Sequence, residues 1–243
     1  MLSQRIQEPF LATFLRDALE REWSGMSVVR LAKGECVYTC GRNDTYVYYI
    51  EQGMMKSVAD SRDGKRCLLA VHVAGEMFGE LGALVPSQTE MATSMRSTVL
   101  RRVPVTRLSA VLRGGDLAGR FALHLVARLS QQQRAITNMV TLNCEQRLAA
   151  VLLELAQKLG RRHDGTLSIE ERITQEELAA MVGTTRSRIG LFLKHFRDRE
   201  LLLAAEGTAW LSLDEWRMTR YLDGSDAAHA DGVAGAGRFR PRA

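Results

Sequence analysis

The chain holds no run of about 18 apolar residues, so no membrane-spanning helix is expected. Its first residues, MLSQRIQEPF, lack the basic start and apolar core of a secretory signal. Cysteine is scarce: Cys36, Cys40, Cys67 and Cys144 are too few and too scattered for a disulfide scaffold. No phosphate loop, zinc-ligand spacing or nucleophile elbow occurs, so neither a metal site nor an enzyme is expected. These absences point to a protein of the reducing cytoplasm that works by binding.

What is present favours a polyanionic partner. The 243 residues are 46% hydrophobic, enough for one large or two modest cores, and the net charge is +5. The most informative stretch is ITQEELAAMVGTTRSRIGLFLKHFRDRELL, residues 173–202. Thr174 stands three residues before Glu177, the spacing of a capping box. Leu178 and Met181 or Val182 give the first helix its inward face, and Gly183 permits a sharp turn. On a second helix, Ile189, Phe192, Leu193 and Phe196 fall together and are expected to pack inward. Ser187, Gly190, Leu191 and Lys194 then face outward, flanked by Arg186 and Arg188. Between Thr184 and Arg199 the basic residues are Arg186, Arg188, Lys194, Arg197 and Arg199, and Asp198 is the only acid. This is a helix-turn-helix pattern, and the start of such a second helix reaches base edges in double-stranded DNA. Thr174, Thr184 and Thr185 complete the expected DNA-facing set.

Around it the period of the chain changes twice. After a short helical stretch at about residues 8–20, residues 26–108 are punctuated by glycine and carry β-rich runs: VYTC, YVYYIEQG, MMKSVAD, CLLAVHV and STVLRRVPV. Asp63-Gly64 between two of them is a hairpin signal, and many short strands with regular turns indicate a barrel or jelly roll. From Leu117 the period becomes helical. Ala122, Leu125, Leu129, Gln132, Ile136, Met139 and Asn143 recur at 3-4 spacing, the seam of a coiled coil, so a parallel homodimer is expected with Leu125, Leu129, Gln132, Ile136 and Met139 at its interface. Arg147 to Leu159 reads as a further helix, and LLLAAEGTAWLSL as a β wing turning at Glu206-Gly207. The segment from Asp223 onward has no periodicity and is expected to be disordered.

Barrel, long helix and winged helix in that order resemble the Crp/Fnr family of bacterial transcription regulators over about residues 10–216. In the barrel the resemblance runs through Lys33-Gly34-Glu35, Tyr48 to Gly53, Asp63-Gly64-Lys65 and Gly75-Glu76-Met77-Phe78-Gly79-Glu80-Leu81-Gly82. It implies an α+β fold: a β-roll or jelly-roll sensor barrel of cyclic-nucleotide-binding type (1–116), a dimerisation helix (117–143), a winged helix-turn-helix (144–219) and a disordered tail (220–243). It also implies a homodimeric regulator on a palindromic operator, controlled by a small effector or partner at the barrel, and contacting RNA polymerase if it activates. Gly79 and Glu80 would meet the effector, the glutamate taking a ribose hydroxyl. Leu81, Glu90, Met91, Arg96, Gln132 and Gln133 complete the expected effector set.

The chain departs from the pattern at several of these positions. Where cAMP-binding members carry Arg then Ser or Thr, it has Glu90-Met91, and a carboxylate repels a buried phosphate. The adenine-contacting Thr-Ser pair is Gln132-Gln133. A nucleotide effector is compatible with the barrel, whereas orthodox cAMP binding is not favoured, and Arg96, read as lying on a strand, is the nearby substitute cation. Arg186 matches a guanine-reading arginine. The glutamate that follows it in the family is Ser187 here, and the second base-reading arginine is Leu191, which suits a thymine methyl. Two other readings are a cyclic-nucleotide-sensing module without a DNA role and a redox sensor built on Cys36 and Cys40. Iron–sulfur members carry cysteines ahead of the barrel, and none precedes Cys36. His72, on an apolar strand, reads as a packed core residue.

Overall fold

The computed structural model describes residues 16–17, 23–40, 44–81, 89–113, 116–205 and 207–224. Most of the expected N-terminal helix, Glu206 of the wing turn and the tail beyond Gly224 lie outside these residues. The fold is α+β, in two compact units, residues 1–135 and 136–243.

In the first unit β1 (Val28–Leu31), β2 (Cys36–Tyr38), β3 (Tyr46–Gln52), β4 (Met54–Asp60), β5 (Arg66–Val73), β6 (Met77–Phe78), β7 (Met91–Ser94) and β8 (Thr98–Pro104) form two antiparallel sheets. The strand orders are β1-β8-β3-β6 and β2-β7-β4-β5. Each sheet thus joins strands distant in sequence, as a jelly roll does. Asp63-Gly64 turns the β4–β5 hairpin as expected, with Gly64 at φ 73° and Asp60 opposite Arg66. Between the sheets Ile50, Met55, Phe78 and Leu100 are buried with the rings of Tyr38 and Tyr48. The β-rich runs located five of the strands; β1, β6 and β7 lie outside those runs.

Gly53, between β3 and β4, has φ 104°, and a Cβ there would lie 2.6 Å from the Thr98 Cα. That neighbour is backbone and cannot rotate away. Gly53→Ala is therefore expected to destabilise the barrel by roughly 3 kcal/mol, read as a lowered denaturant midpoint. An unchanged midpoint would mean that β8 does not approach this turn.

Helix α1 (Val105–Leu112) leads into α2 (Asp116–Thr141). Leu117 and Phe121 of α2 are buried against Trp23, Val47 and Val103, and Leu125 packs half-buried on the same cluster. The expected seam is thereby corrected. Leu125 serves the barrel core, and Asn143 lies beyond the helix as the cap of the next one. The exposed stripe is Leu123, Val126, Leu129, Ile136, Met139 and Val140, with Gln132 and Gln133 also exposed. No helix among the described residues is long and apolar enough to cross a membrane.

The second unit is built on α3 (Cys144–Leu159), capped by Asn143 and Gln146 in a reciprocal box. Leu148, Leu152, Leu155 and Ala156 form its buried stripe. Next come β9 (Arg161–His163), β10 (Thr166–Ile169), α4 (Gln175–Val182), α5 (Arg186–Asp198), β11 (Leu202–Leu203), β12 (Leu211–Asp214) and α6 (Glu215–Leu222). The sheet order β11-β12-β10-β9 confirms pairing of the two wing strands and adds a hairpin turning at Asp164-Gly165. Helix α6 was not foreseen and carries residues 220–222, which the sequence reading placed in the tail. Its buried Met218 and the Tyr221 ring, 5.7 Å from Phe196, dock it on the module. The guanidinium of Arg147 donates to Val182 O (3.0 Å) and to Met139 O and Leu142 O (both 3.2 Å), gathering the C-terminal carbonyls of two helices.

Candidate functional site

Two groups of side chains stand out, one in each unit. In the second unit Thr174 caps α4: its hydroxyl accepts from the Glu177 N–H at 3.2 Å, and its own N–H donates to the Glu177 carboxylate at 2.8 Å. The turn glycine, Gly183, adopts φ 73°, ψ 46°, left-handed values that a side chain would strain. Thr185 then caps α5 by accepting from the Arg188 N–H. Ile189, Leu193 and Phe196 are buried beneath α5, which turns its other side to solvent.

That outward side carries Arg186, Ser187, Arg188, Leu191, Lys194 and Arg197, all exposed, Leu191 at 65%. Gly190 sits half-buried among them, with the Gln175 amide against it. Phe192 departs from the expected inward set: it is half-buried, and the Arg188 guanidinium lies 5.6 Å above its ring. Position 192 falls at the edge of the buried stripe, where a cation can cover the exposed face of the ring. Thr174 and Thr185 use their hydroxyls in capping, and the Thr184 hydroxyl is buried without a partner. Glu176, which sequence reasoning passed over, pairs with Arg186 at 3.1 Å. No local spacing announces that contact, because it crosses the turn between two helices. The arrangement is a capped basic helix with one large apolar residue exposed, suited to a duplex groove.

In the first unit a buried polar cluster lies within the barrel. Glu80 is 2% exposed; its Oε1 stands 3.5 Å from Arg128 Nε and 3.8 Å from His124 Nε2. Burial pushes this carboxyl up, but His124 and Arg128 outweigh it and hold the group below the usual carboxylate range. Glu80 Oε2 and His124 Nε2 are buried without hydrogen-bond partners among the described residues. Glu90 is also buried. It accepts from the Tyr38 hydroxyl at 2.9 Å and from Ser57 Oγ at 3.1 Å. Burial and the Glu90 charge both raise the Tyr38 phenol, so it remains a donor. Ser57 Oγ lies 3.0 Å from His72 Nε2, and His72 Nδ1 lies 3.4 Å from Arg128 Nη1.

Of the expected effector residues, Glu80 and Glu90 therefore belong to one cluster, joined through Arg128, His72 and Ser57. Gly79 turns at φ 88° beside the Tyr48 ring, Leu81 is 41% exposed, and Met91 begins β7 half-buried. Arg96 lies exposed in the turn between β7 and β8, not on a strand as expected, because β7 ends at Ser94. Gln132 and Gln133 are exposed on α2. Sequence reasoning missed Tyr38, Ser57, His124 and Arg128. The four-residue step from His124 to Arg128 was the one available signal, placing both on one helix face. His72 is packed in the core as expected, stacked 5.2 Å from Phe78, yet it is also a link in the polar chain. Cys36 is exposed and donates to Tyr38 O, and desolvation raises its thiol, which is unfavourable to a reactive thiolate.

Comparison with known proteins places both units. The family model for the cyclic nucleotide-binding domain matches residues 28–123, and that for the Crp-like helix-turn-helix domain matches residues 146–220. The chain is 29% identical over 196 residues to the CRP-like cAMP-activated global transcriptional regulator of Mycobacterium tuberculosis, covering 79% of this chain and 86% of that protein. It is 26% identical over 168 residues to the cAMP-activated global transcriptional regulator CRP of Escherichia coli O6:H1, covering 68% and 79%. Among solved structures, FixK2 from Bradyrhizobium japonicum superposes with a TM-score of 0.69 at 20% identity, over 80% of this chain and 96% of that one. The c-di-GMP responsive global regulator CLP of Xanthomonas campestris gives 0.63 at 22% identity, over 81% and 98%.

Proposed function

The chain belongs to the Crp/Fnr family of DNA-binding transcription regulators, and from that premise we propose a homodimer that reads a palindromic operator and is controlled through its barrel. The observation that carries the reading is the exposed basic side of α5, which follows the left-handed glycine turn at Gly183. Two copies related by a two-fold axis would set their α5 helices into successive major grooves, with half-sites about 34 Å apart. The domain order of sensor barrel, dimerisation helix, winged helix-turn-helix and tail follows from this, as do a cytoplasmic place of work and an absence of catalysis. RNA polymerase is a partner if the protein activates.

Arg186 is assigned to a guanine edge, with Leu191 against a thymine methyl. Ser187, Arg188, Gly190 and the threonines 174, 184 and 185 frame the approach, and Lys194 and Arg197 take phosphates. Arg186→Ala should then cost roughly 1–3 kcal/mol on the cognate duplex and relax one base position. Arg197→Ala should weaken all duplexes alike and flatten the salt dependence by about one ion. Binding titrations on a selected operator and its single-base variants separate the two. Equal losses for both variants on every sequence would refute the assignment.

At the barrel, the unpartnered Glu80 Oε2 supports an effector that offers a donor there. The buried Glu90 carboxylate disfavours the phosphate of a simple cyclic nucleotide, so cAMP is not the proposed ligand. A module without a DNA role is opposed by the basic side of α5, and a thiol sensor by the raised Cys36 thiol.

A further inference from the structure

A chain of hydrogen bonds links α2 to the sheets inside the barrel, and the donors and acceptors of its members assign its protons. Arg128 carries only donors, so its contact with His72 at 3.4 Å requires a lone pair on Nδ1. The ring proton must then sit on Nε2 and be donated to Ser57 Oγ at 3.0 Å. Ser57 in turn donates to Glu90 Oε1, which also receives the Tyr38 hydroxyl. Donors thus run from α2 through β5 and β4 to Glu90, the residue preceding β7, and Tyr38 of β2 donates to the same carboxylate from the other side. Every member except Arg128 is less than a tenth exposed.

We propose that this chain fastens α2 to the barrel without a bound nucleotide, and that a second proton on His72 releases it. The proposal rests on the family-level reading above and adds the proton as a regulator of the same barrel, acting at His72 and apart from the unpartnered Glu80 Oε2. The only position for that proton is Nδ1, which faces the guanidinium. Acceptor becomes donor, the Arg128 contact is lost, and two cations are left side by side in a buried site. Among the described residues the ring is faced by Arg128 directly, with Glu80 and His124 beyond it on the α2 side, by Ser57 and then Glu90 and Tyr38 on the sheet side, and by the Phe78 ring in the stack. The two carboxylates favour the proton against the burial of the ring and the Arg128 charge, and its arrival breaks the link to α2. Because α2 runs on as one helix to Thr141, into the second unit, loosening its grip on the barrel bears on DNA binding. Histidine changes charge between about pH 8 and pH 5, the range such a device needs.

The test uses the full chain and an operator selected from random duplexes at about pH 8. Wild type is expected to bind without nucleotide, to change less than about twofold with 1 mM cAMP or cGMP, and to lose roughly tenfold by about pH 5.5, the equivalent of about one charge-assisted hydrogen bond. His72→Gln keeps a donor for Ser57 and an acceptor for Arg128 but cannot titrate, so its binding should match wild type at pH 8 and stay flat. His72→Leu should bind weakly throughout while melting cooperatively. Nitrogen NMR of the wild-type ring reads the tautomer independently of any variant, with Nε2 protonated and Nδ1 bare at about pH 8. The opposite tautomer, a nucleotide requirement, or the same pH profile in wild type and His72→Gln each overturns the proposal. Failure to bind any duplex at any pH, with or without nucleotide, overturns the DNA-binding reading itself and this proposal with it.

Discussion

Ile136→Glu is expected to turn the dimer into monomers and to reduce operator affinity by about 10²–10⁴, the advantage that linked half-site binding confers. Ile136 is 65% exposed on the described chain and Val140 82%, with Val126 and Leu129 on the same stripe at 53% and 55%. Val126, Leu129, Gln133, Ile136 and Val140 repeat at 3-4 spacing, which suits a partner helix and is a poor solvent face. A glutamate at the middle of that seam meets its own symmetry mate, so two charges would be buried together. Sedimentation should show a single species of half the wild-type mass, folded by circular dichroism. Dimers that persist with operator affinity intact would mean that another surface joins the subunits.

Arg128→Met should be the most damaging single change in the barrel interior. It removes the guanidinium from Glu80, 2% exposed, and leaves the carboxylate with His124 at 3.8 Å and a backbone N–H. Stranding a buried carboxylate costs about 3–5 kcal/mol. At about 2–4 °C per kcal/mol for a chain of this size, the barrel transition should fall by roughly 10 °C at pH 7.5. The sign of the pH dependence is the sharper test. In wild type the Glu80 carboxyl is held below its ordinary range, so its contribution is present above about pH 4.3 and lost as pH falls through the lowered value. In the variant one of the groups that offset burial is gone, so the carboxyl moves up from its wild-type position. Protonation then relieves the strain, and the deficit against wild type should shrink as pH falls from 7.5 toward 5. A deficit that stays constant over that range would show that Glu80 is not the group left exposed by the change.

These two expectations differ in how far the sequence alone could supply them. The stripe on α2 was legible as a helical seam, because a period of 3 and 4 is a property of the chain itself. One expected member, Leu125, could not be assigned to the barrel before the barrel was seen. Leu129, Gln132, Ile136 and Met139 stay exposed on the helix. The Glu80 environment was only half legible: the Gly79-Glu80 motif marked the position, but nothing near it in the chain announces Arg128, His124 or His72. Glu90 was recognised as unsuited to a phosphate, without the hydrogen bonds from Tyr38 and Ser57 that hold it.

The helix-turn-helix was determined by the sequence. Thr174 meets Glu177 three residues away, Gly183 supplies its own left-handed turn, and Ile189, Leu193 and Phe196 share a face by helical geometry. Each of these depends on neighbours within one or two turns, where spacing alone fixes contact. The polar chain in the barrel was decided by tertiary structure. Its bonds join residues 52, 33, 15 and 56 positions apart. A strand pattern states which face a side chain takes, but the register of pairing between distant strands chooses its partner, and a slip of one residue would exchange every partner for another.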